Sequence, residues 1–172
     1  MSAQPPADAR GDVSAAARPD QRRAPAALGD DLPDAVARRL VDAQLNEAVE
    51  VRRAFEVEAA RLAALRRTPQ DLAALDGALA TREAAWAEGR LDDFVEADAV
   101  LHTLIVAAAH NQMLADLYAT FGGVLRQSIT DQMGGEVTPD RYVDHSRLVA
   151  AIRARDPGGA AYEAGAFLEK LH

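Results

Sequence analysis

The chain has 172 residues, of which 49% are hydrophobic and only 5% aromatic, and its formal net charge is −8. This length suits one domain plus a tail, with a mainly aliphatic core. The net negative charge argues against nucleic-acid binding by this segment alone, because phosphate binding needs a concentrated basic face. The chain has no cysteine, which excludes disulfides, cysteine-based zinc sites and thiol catalysis.

Residues 1–31 are rich in Ala, Pro, Arg and Asp and contain few large apolar side chains. This composition is typical of a disordered tail. No apolar run approaches the roughly 18–20 residues that a membrane span needs. The N-terminus also lacks the apolar segment of a secretory signal, so we expect a cytoplasmic protein with no membrane partner.

Residues 32–172 read as helical throughout, because apolar residues recur close to every 3.6 positions and no period-two alternation is sustained. An amphipathic pattern begins near Leu32-Pro33, and a long helix is predicted over residues 46–67. Thr68-Pro-Gln-Asp71 combines a cap, a first-turn proline and an acid, so it predicts the start of a helix that stops at Gly89. A further helix is predicted from about Leu91 to Ala109.

Asn111 is expected to cap the next helix, with Met113 and Leu117 among its inward side chains. The Gly122-Gly123 pair inside this run indicates a kink or a close helix crossing.

Thr138-Pro139 repeats the cap-plus-proline signal and predicts a helix that includes His145, and Asp156-Pro157 predicts the start of the last helix. These elements together predict an all-α, antiparallel bundle of about six or seven helices with short connections, spanning residues 32–172.

Asp98 and His102 are the most informative residues, because a spacing of four places them on one helix face, one turn apart. A carboxylate and an imidazole so placed can share one metal ion, to which another helix can bring His145 as a third ligand. The alternative is a vestigial site in which Asp98 is simply hydrogen-bonded or ion-paired to His102.

Five landmarks in series resemble the FCD domain, the effector-binding half of FadR-type regulators in the GntR family. The resemblance runs from about Ala48 to the C-terminus. The landmarks are Glu50-Val-Arg-Arg-Ala-Phe-Glu56, Gly89-Arg-Leu-Asp-Asp-Phe94, Asp98-Ala-Val-Leu-His102, Ala109-His-Asn111, and His145 with Ala151-Ile152. The resemblance implies a helical sensor domain that forms a homodimer and binds a small carboxylate effector beside a divalent metal, zinc or similar.

In that family an aspartate and three histidines often hold the metal, and Asp98, His102 and His145 match the first three ligand positions. The fourth position falls on Phe167, which offers no lone pair. The resemblance therefore implies weakened metal binding here, and we do not expect His172 to substitute for the missing ligand.

Arg52 matches an arginine that in the family can receive the effector carboxylate, and a guanidinium fork suits that role. An Arg52–Glu56 pair on a solvated helix face is the alternative. Asn111 is implied as a second ligand contact, although a helix cap explains it equally well.

Three functions remain open: an effector-sensing domain of a transcription regulator, an inert helical interaction module, and a metal-dependent enzyme. No His-Glu-x-x-His motif or recognisable nucleophile set is present, so we expect no enzymatic activity. The resemblance implies contact with DNA only through a winged helix-turn-helix that this sequence does not show. Three explanations for the missing motif are open: a truncated or mis-started regulator, a stand-alone sensor, or a chain that pairs with an intact relative.

Overall fold

The computed structural model describes Met1 and residues 45–120, 122–139 and 142–169. These residues form seven helices and no strand, so the predicted all-α bundle is confirmed. Apart from Met1, the predicted tail and the pattern near Leu32-Pro33 lie outside the described residues. The helices are α1 (Leu45–Arg66), α2 (Pro69–Ala87), α3 (Leu91–Ala108), α4 (Gln112–Ala119), α5 (Gly122–Met133), α6 (Ser146–Arg153) and α7 (Pro157–Glu169).

The bundle is organised around two long helix pairs, α2 against α3 and α1 against α7. Helix α1 also packs against α3 and α6, so it lies between the two pairs. The buried core is largely aliphatic, as the low aromatic content requires, and includes Leu75, Leu101, Ile105, Leu148 and Ile152. Among the described helices, none is both long enough and apolar enough to cross a bilayer.

Local signals set several helix ends where the sequence predicted them. Thr68 and Asp71 form a capping box, in which the Thr68 N–H donates to Asp71 Oδ2 (2.7 Å) and the Asp71 N–H donates to Thr68 Oγ1 (3.2 Å). Helix α2 ends just before Gly89, whose φ of +67° favours glycine. At the start of α7, Asp156 Oδ1 accepts from the Gly159 N–H at 2.9 Å.

The run that follows Asn111 is two helices, of which the first ends at Ala119 and the second begins at Gly122. Met113 and Leu117 were predicted to face inward, but their exposed fractions are 69% and 45%. The prediction was wrong because it extended one helical register across the break, whereas α4 is only eight residues long and buries Tyr118.

The signal at Thr138-Pro139 gives a 3₁₀ turn at Pro139, but the α-helix begins only at Ser146, so His145 precedes α6 and is not part of it. The Val143 carbonyl supplies the physical reason. It accepts from Arg82 Nη2 at 2.9 Å and from His145 Nδ1 at 3.0 Å. In a helix that carbonyl would accept from the N–H four residues later. Side-chain donors take its place here, and residues 142–145 remain a loop.

Candidate metal centre

The three predicted ligands meet inside the bundle. Asp98 and His102 lie one turn apart on α3, and the loop before α6 brings His145 against them. All three are buried, and one ligand atom from each lies within 4.8 Å of the others. His102 Nε2 lies 3.2 Å from His145 Nε2 and 3.5 Å from Asp98 Oδ2. His145 Nε2 lies 3.9 Å from Asp98 Oδ1.

The outer nitrogens of both imidazoles face acceptors, which assigns the tautomers. His145 Nδ1 lies 3.0 Å from the Val143 carbonyl, so Nδ1 carries the proton. His102 Nδ1 lies 3.1 Å from Glu56 Oε2. A bare Nδ1 would repel the carboxylate at this distance, and we assign the proton of His102 to Nδ1 as well.

These tautomers leave two Nε2 lone pairs facing each other at 3.2 Å. Such lone pairs repel unless a cation lies between them. Two nitrogens that bind one tetrahedral zinc at 2.0–2.1 Å are about 3.3 Å apart, so the spacing of the two rings suits a zinc ion. Asp98 completes a set of three donors. A proton on His102 is the competing cation, because it would convert the contact into an N–H···N hydrogen bond.

Glu56 supports His102 from α1. Its Oε1 accepts from Arg52 Nε at 3.1 Å and from the Tyr118 hydroxyl at 2.7 Å. Burial raises the pKa of the Glu56 carboxyl, but Arg52, His102 and Tyr118 outweigh that effect and hold it well below its usual range. The Arg52–Glu56 pair considered from the sequence is therefore present, but it is 3% exposed and not on a solvated face.

Arg82 of α2 lies on the other side of the ligands. Its Nε donates to Asp98 Oδ1, and its guanidinium stacks over the Phe94 ring at 4.6 Å. Burial raises the pKa of the Asp98 carboxyl, but His145, His102 and Arg82 together bring it below its ordinary value. Asp98 is thus ionised and oriented, with Oδ2 directed toward His102.

Sequence reasoning missed Arg82, Glu56 and Tyr118 as members of this cluster. A signal existed for the first two, because each interrupts an apolar stripe at helical spacing. Arg82 falls in the inward series Leu75, Ala78, Arg82 and Ala85, and Glu56 falls in the series Val49, Arg52, Glu56 and Ala59. A charge on an inward stripe indicates a buried polar contact.

The other candidate residues lie outside the cluster or are not among the described residues. Asn111 accepts from the Leu114 N–H at 3.3 Å and so caps α4. His110 is exposed and lies 2.7 Å from Asp71 Oδ2. Phe167 belongs to α7, but its side chain lies outside the described residues, as does the whole of His172.

A groove of about 370 Å³ lies between α3, α4 and α5, with the lining residues Ala99, Val100, Thr103, Leu104, Tyr118 and Arg126 among others. Its volume is at the lower end of the range for small-molecule sites. Tyr118 forms part of the groove wall while its hydroxyl donates to Glu56. This residue connects the groove to the buried cluster.

The pKa of His145 predicts how the stability of the fold depends on pH. Burial lowers its pKa to about 4, with Arg82 and His102 acting in the same direction and Asp98 opposing them. The unfolded imidazole has a pKa of about 6.5, so between pH 6.5 and 4 the unfolded chain binds a proton that the folded chain does not. Stability therefore falls as pH falls, by about 2 kcal/mol between pH 7 and 5.

Chemical denaturation of the metal-free protein at pH 7, 6 and 5 checks this prediction. His145→Gln should remove most of the dependence on pH, whereas His110→Gln, at an exposed histidine, should retain it. Equal pH slopes for wild type and His145→Gln would contradict the prediction.

Comparison with known proteins agrees with this architecture. The chain resembles E. coli McbR/YncC with a TM-score of 0.60 and 22% identity, a similarity that shows the fold. The match covers 74% of this chain and 65% of that chain, so the chain spans slightly less than two thirds of the neighbour's length. No curated protein matches the sequence. The family profile of the FCD domain matches residues 47–170, and the chain therefore belongs to the FCD domain family.

Proposed function

We propose that the chain is the effector-sensing domain of a GntR/FadR-type transcription regulator, in which Asp98, His102 and His145 hold a divalent metal beside a small carboxylate. The pair of Nε2 atoms 3.2 Å apart carries the proposal, because both tautomers direct a lone pair toward the shared space. Membership of the FCD domain family supports the regulatory role. In this proposal the domain acts as a homodimer and reaches DNA through a separate DNA-reading domain.

The donor set suits a metal that keeps part of its coordination shell open. Three protein ligands leave room for oxygen from water or an effector, and the metal would act there as a Lewis acid. Asp98 Oδ1 is committed to Arg82, so Asp98 would offer Oδ2. His102 and His145 would offer Nε2, with their outer nitrogens held by Glu56 and Val143.

The charge balance favours an anionic effector. Two buried arginines, Arg52 and Arg82, balance two buried carboxylates, Glu56 and Asp98, while a neutral His145 adds no charge. A divalent cation would leave this buried region with excess positive charge, which a carboxylate would reduce. Arg52 is joined to the ligands through Glu56 and His102, and its planar fork suits a carboxylate.

The same contacts favour binding over catalysis. A general base needs a pKa close to the working pH. The carboxylates of Glu56 and Asp98 are both ion-paired, and both have pKa values below their ordinary range. Each is therefore a weak proton acceptor, and we propose no enzymatic reaction for this cluster.

Thermal-shift measurements against a panel of small mono- and dicarboxylic acids, with zinc-loaded and zinc-free protein, test the proposal. At least one acid should raise the melting temperature, and the shift should require zinc. Arg52→Lys keeps the charge but loses the fork, so it should weaken binding of that acid about tenfold or more.

Arg53→Lys is the matched control, because Arg53 is the exposed neighbour on the same helix and should leave binding of the acid unchanged. Failure of the wild-type protein to take up zinc, or a zinc-loaded protein that responds to no acid, would overturn the proposed function.

A further inference from the structure

Two neighbouring residues of α2 hold the loop that carries His145. Arg82 Nη2 donates to the Val143 carbonyl at 2.9 Å, and Glu83 Oε2 accepts from the Tyr142 hydroxyl at 2.5 Å. Arg82 Nη1 also donates to Glu83 Oε1 at 2.9 Å, so the two residues are joined to each other. The loop is thus tied to α2 at two consecutive positions just before His145.

This tie matters because residues 142–145 form neither helix nor strand. His145 precedes the first residue of α6, and its ring is oriented through the Val143 carbonyl. The same carbonyl accepts from Arg82, while Arg82 Nε donates to Asp98 Oδ1. One guanidinium therefore fixes the aspartate directly and the second histidine through the loop.

Aromatic packing holds the tie in place. The Arg82 guanidinium lies 4.6 Å from the Phe94 ring centroid and 5.5 Å from that of Tyr142. The Tyr142 ring lies 4.9 Å from the ring of Trp86. Arg82 is only 1% exposed, so its geometry is set by these contacts and not by solvent.

We propose that Arg82, Glu83 and Tyr142 form a latch that positions His145 as the third metal ligand. The inference rests on the proposed function, because it takes a metal as the occupant of the cluster. The latch residues are positioning residues. Asp98 and His102 share α3 and keep their spacing without the latch, whereas His145 depends on it.

Tyr142→Phe tests the latch with a minimal change, because it removes only the hydroxyl that donates to Glu83. Zinc affinity, measured by competition with a chromophoric chelator, should fall about tenfold, as for other residues that orient a metal ligand. Tyr162→Phe makes the same change at a tyrosine that is 72% exposed on α7 and should leave zinc affinity unchanged.

A double-mutant cycle separates positioning from general structural support. In the background of His145→Ala, Tyr142→Phe should cause no further loss of zinc affinity. An equal tenfold loss in both backgrounds would show that Tyr142 does not act through His145 and would overturn the latch.

Amide hydrogen exchange of the metal-free protein gives a readout that needs no zinc. Exchange across residues 142–146 should be roughly fivefold to tenfold faster in Tyr142→Phe than in Tyr162→Phe. Exchange and zinc affinity equal to those of the wild type would overturn the latch. Wild-type protein that binds no zinc would overturn the proposed function. It would also overturn the claim that the latch positions a metal ligand. Faster exchange would then still identify the tie between loop and helix.

Discussion

Replacing Arg82 with methionine is expected to lower the free energy of unfolding of the metal-free protein by about 3–5 kcal/mol. The loss arises because Asp98 stays buried and ionised without its guanidinium partner. The Val143 carbonyl and the Glu83 carboxylate also lose one donor each. Methionine retains most of the aliphatic volume, so the change tests the charge and its hydrogen bonds more than packing.

Urea denaturation at pH 7 in the presence of a chelator measures this effect. Arg90→Met is the matched control, because Arg90 pairs with Glu88 and Asp93 at the surface with 46% of its side chain exposed. Surface ion pairs contribute little, so Arg90→Met should cost less than about 1 kcal/mol. A loss for Arg82→Met no larger than that for Arg90→Met would show that the buried pair does not support the fold.

The double variant Arg82→Met/Asp98→Leu distinguishes an unpaired charge from lost packing. Removing both members of a buried ion pair is often close to neutral, because neither charge is left without a partner. The double variant should therefore recover much of the stability lost in Arg82→Met. It should bind no zinc at this cluster, since one of the three donors is gone.

The helices and the ligand pair were predictable because both follow from local spacing. The capping box of Thr68 and Asp71 determines where α2 begins, and four residues on one helix place His102 beside Asp98. The prediction that His145 meets His102 came from the family resemblance, because local spacing says nothing about residues 43 positions apart.

The supporting contacts were not predictable, because they join distant segments through side chains. An inward charge at position 82 indicates a buried partner, but not that the partner is Asp98 and the Val143 carbonyl. The same contacts displaced the predicted start of α6. A proline-based helix signal at Thr138-Pro139 did not extend to His145 because the Val143 carbonyl accepts from side chains instead of from the helix backbone.

The largest effect on metal binding is expected from His102→Gln, which should weaken zinc binding about 100-fold or more. Complete structural zinc sites bind with roughly 10–16 kcal/mol, or roughly 2.5–4 kcal/mol for each ligand of four. Glutamine keeps a donor for the Glu56 carboxylate, which lies 3.1 Å from the native ring, so the fold should be largely retained. Zinc affinity is measured by chelator competition, with the melting temperature recorded in parallel.

His110→Gln makes the same substitution at an exposed histidine, whose ring lies 2.7 Å from Asp71 and outside the cluster. If the cluster is the binding site, that control should keep wild-type zinc affinity. If both variants bind zinc equally well, the ion is held outside the cluster.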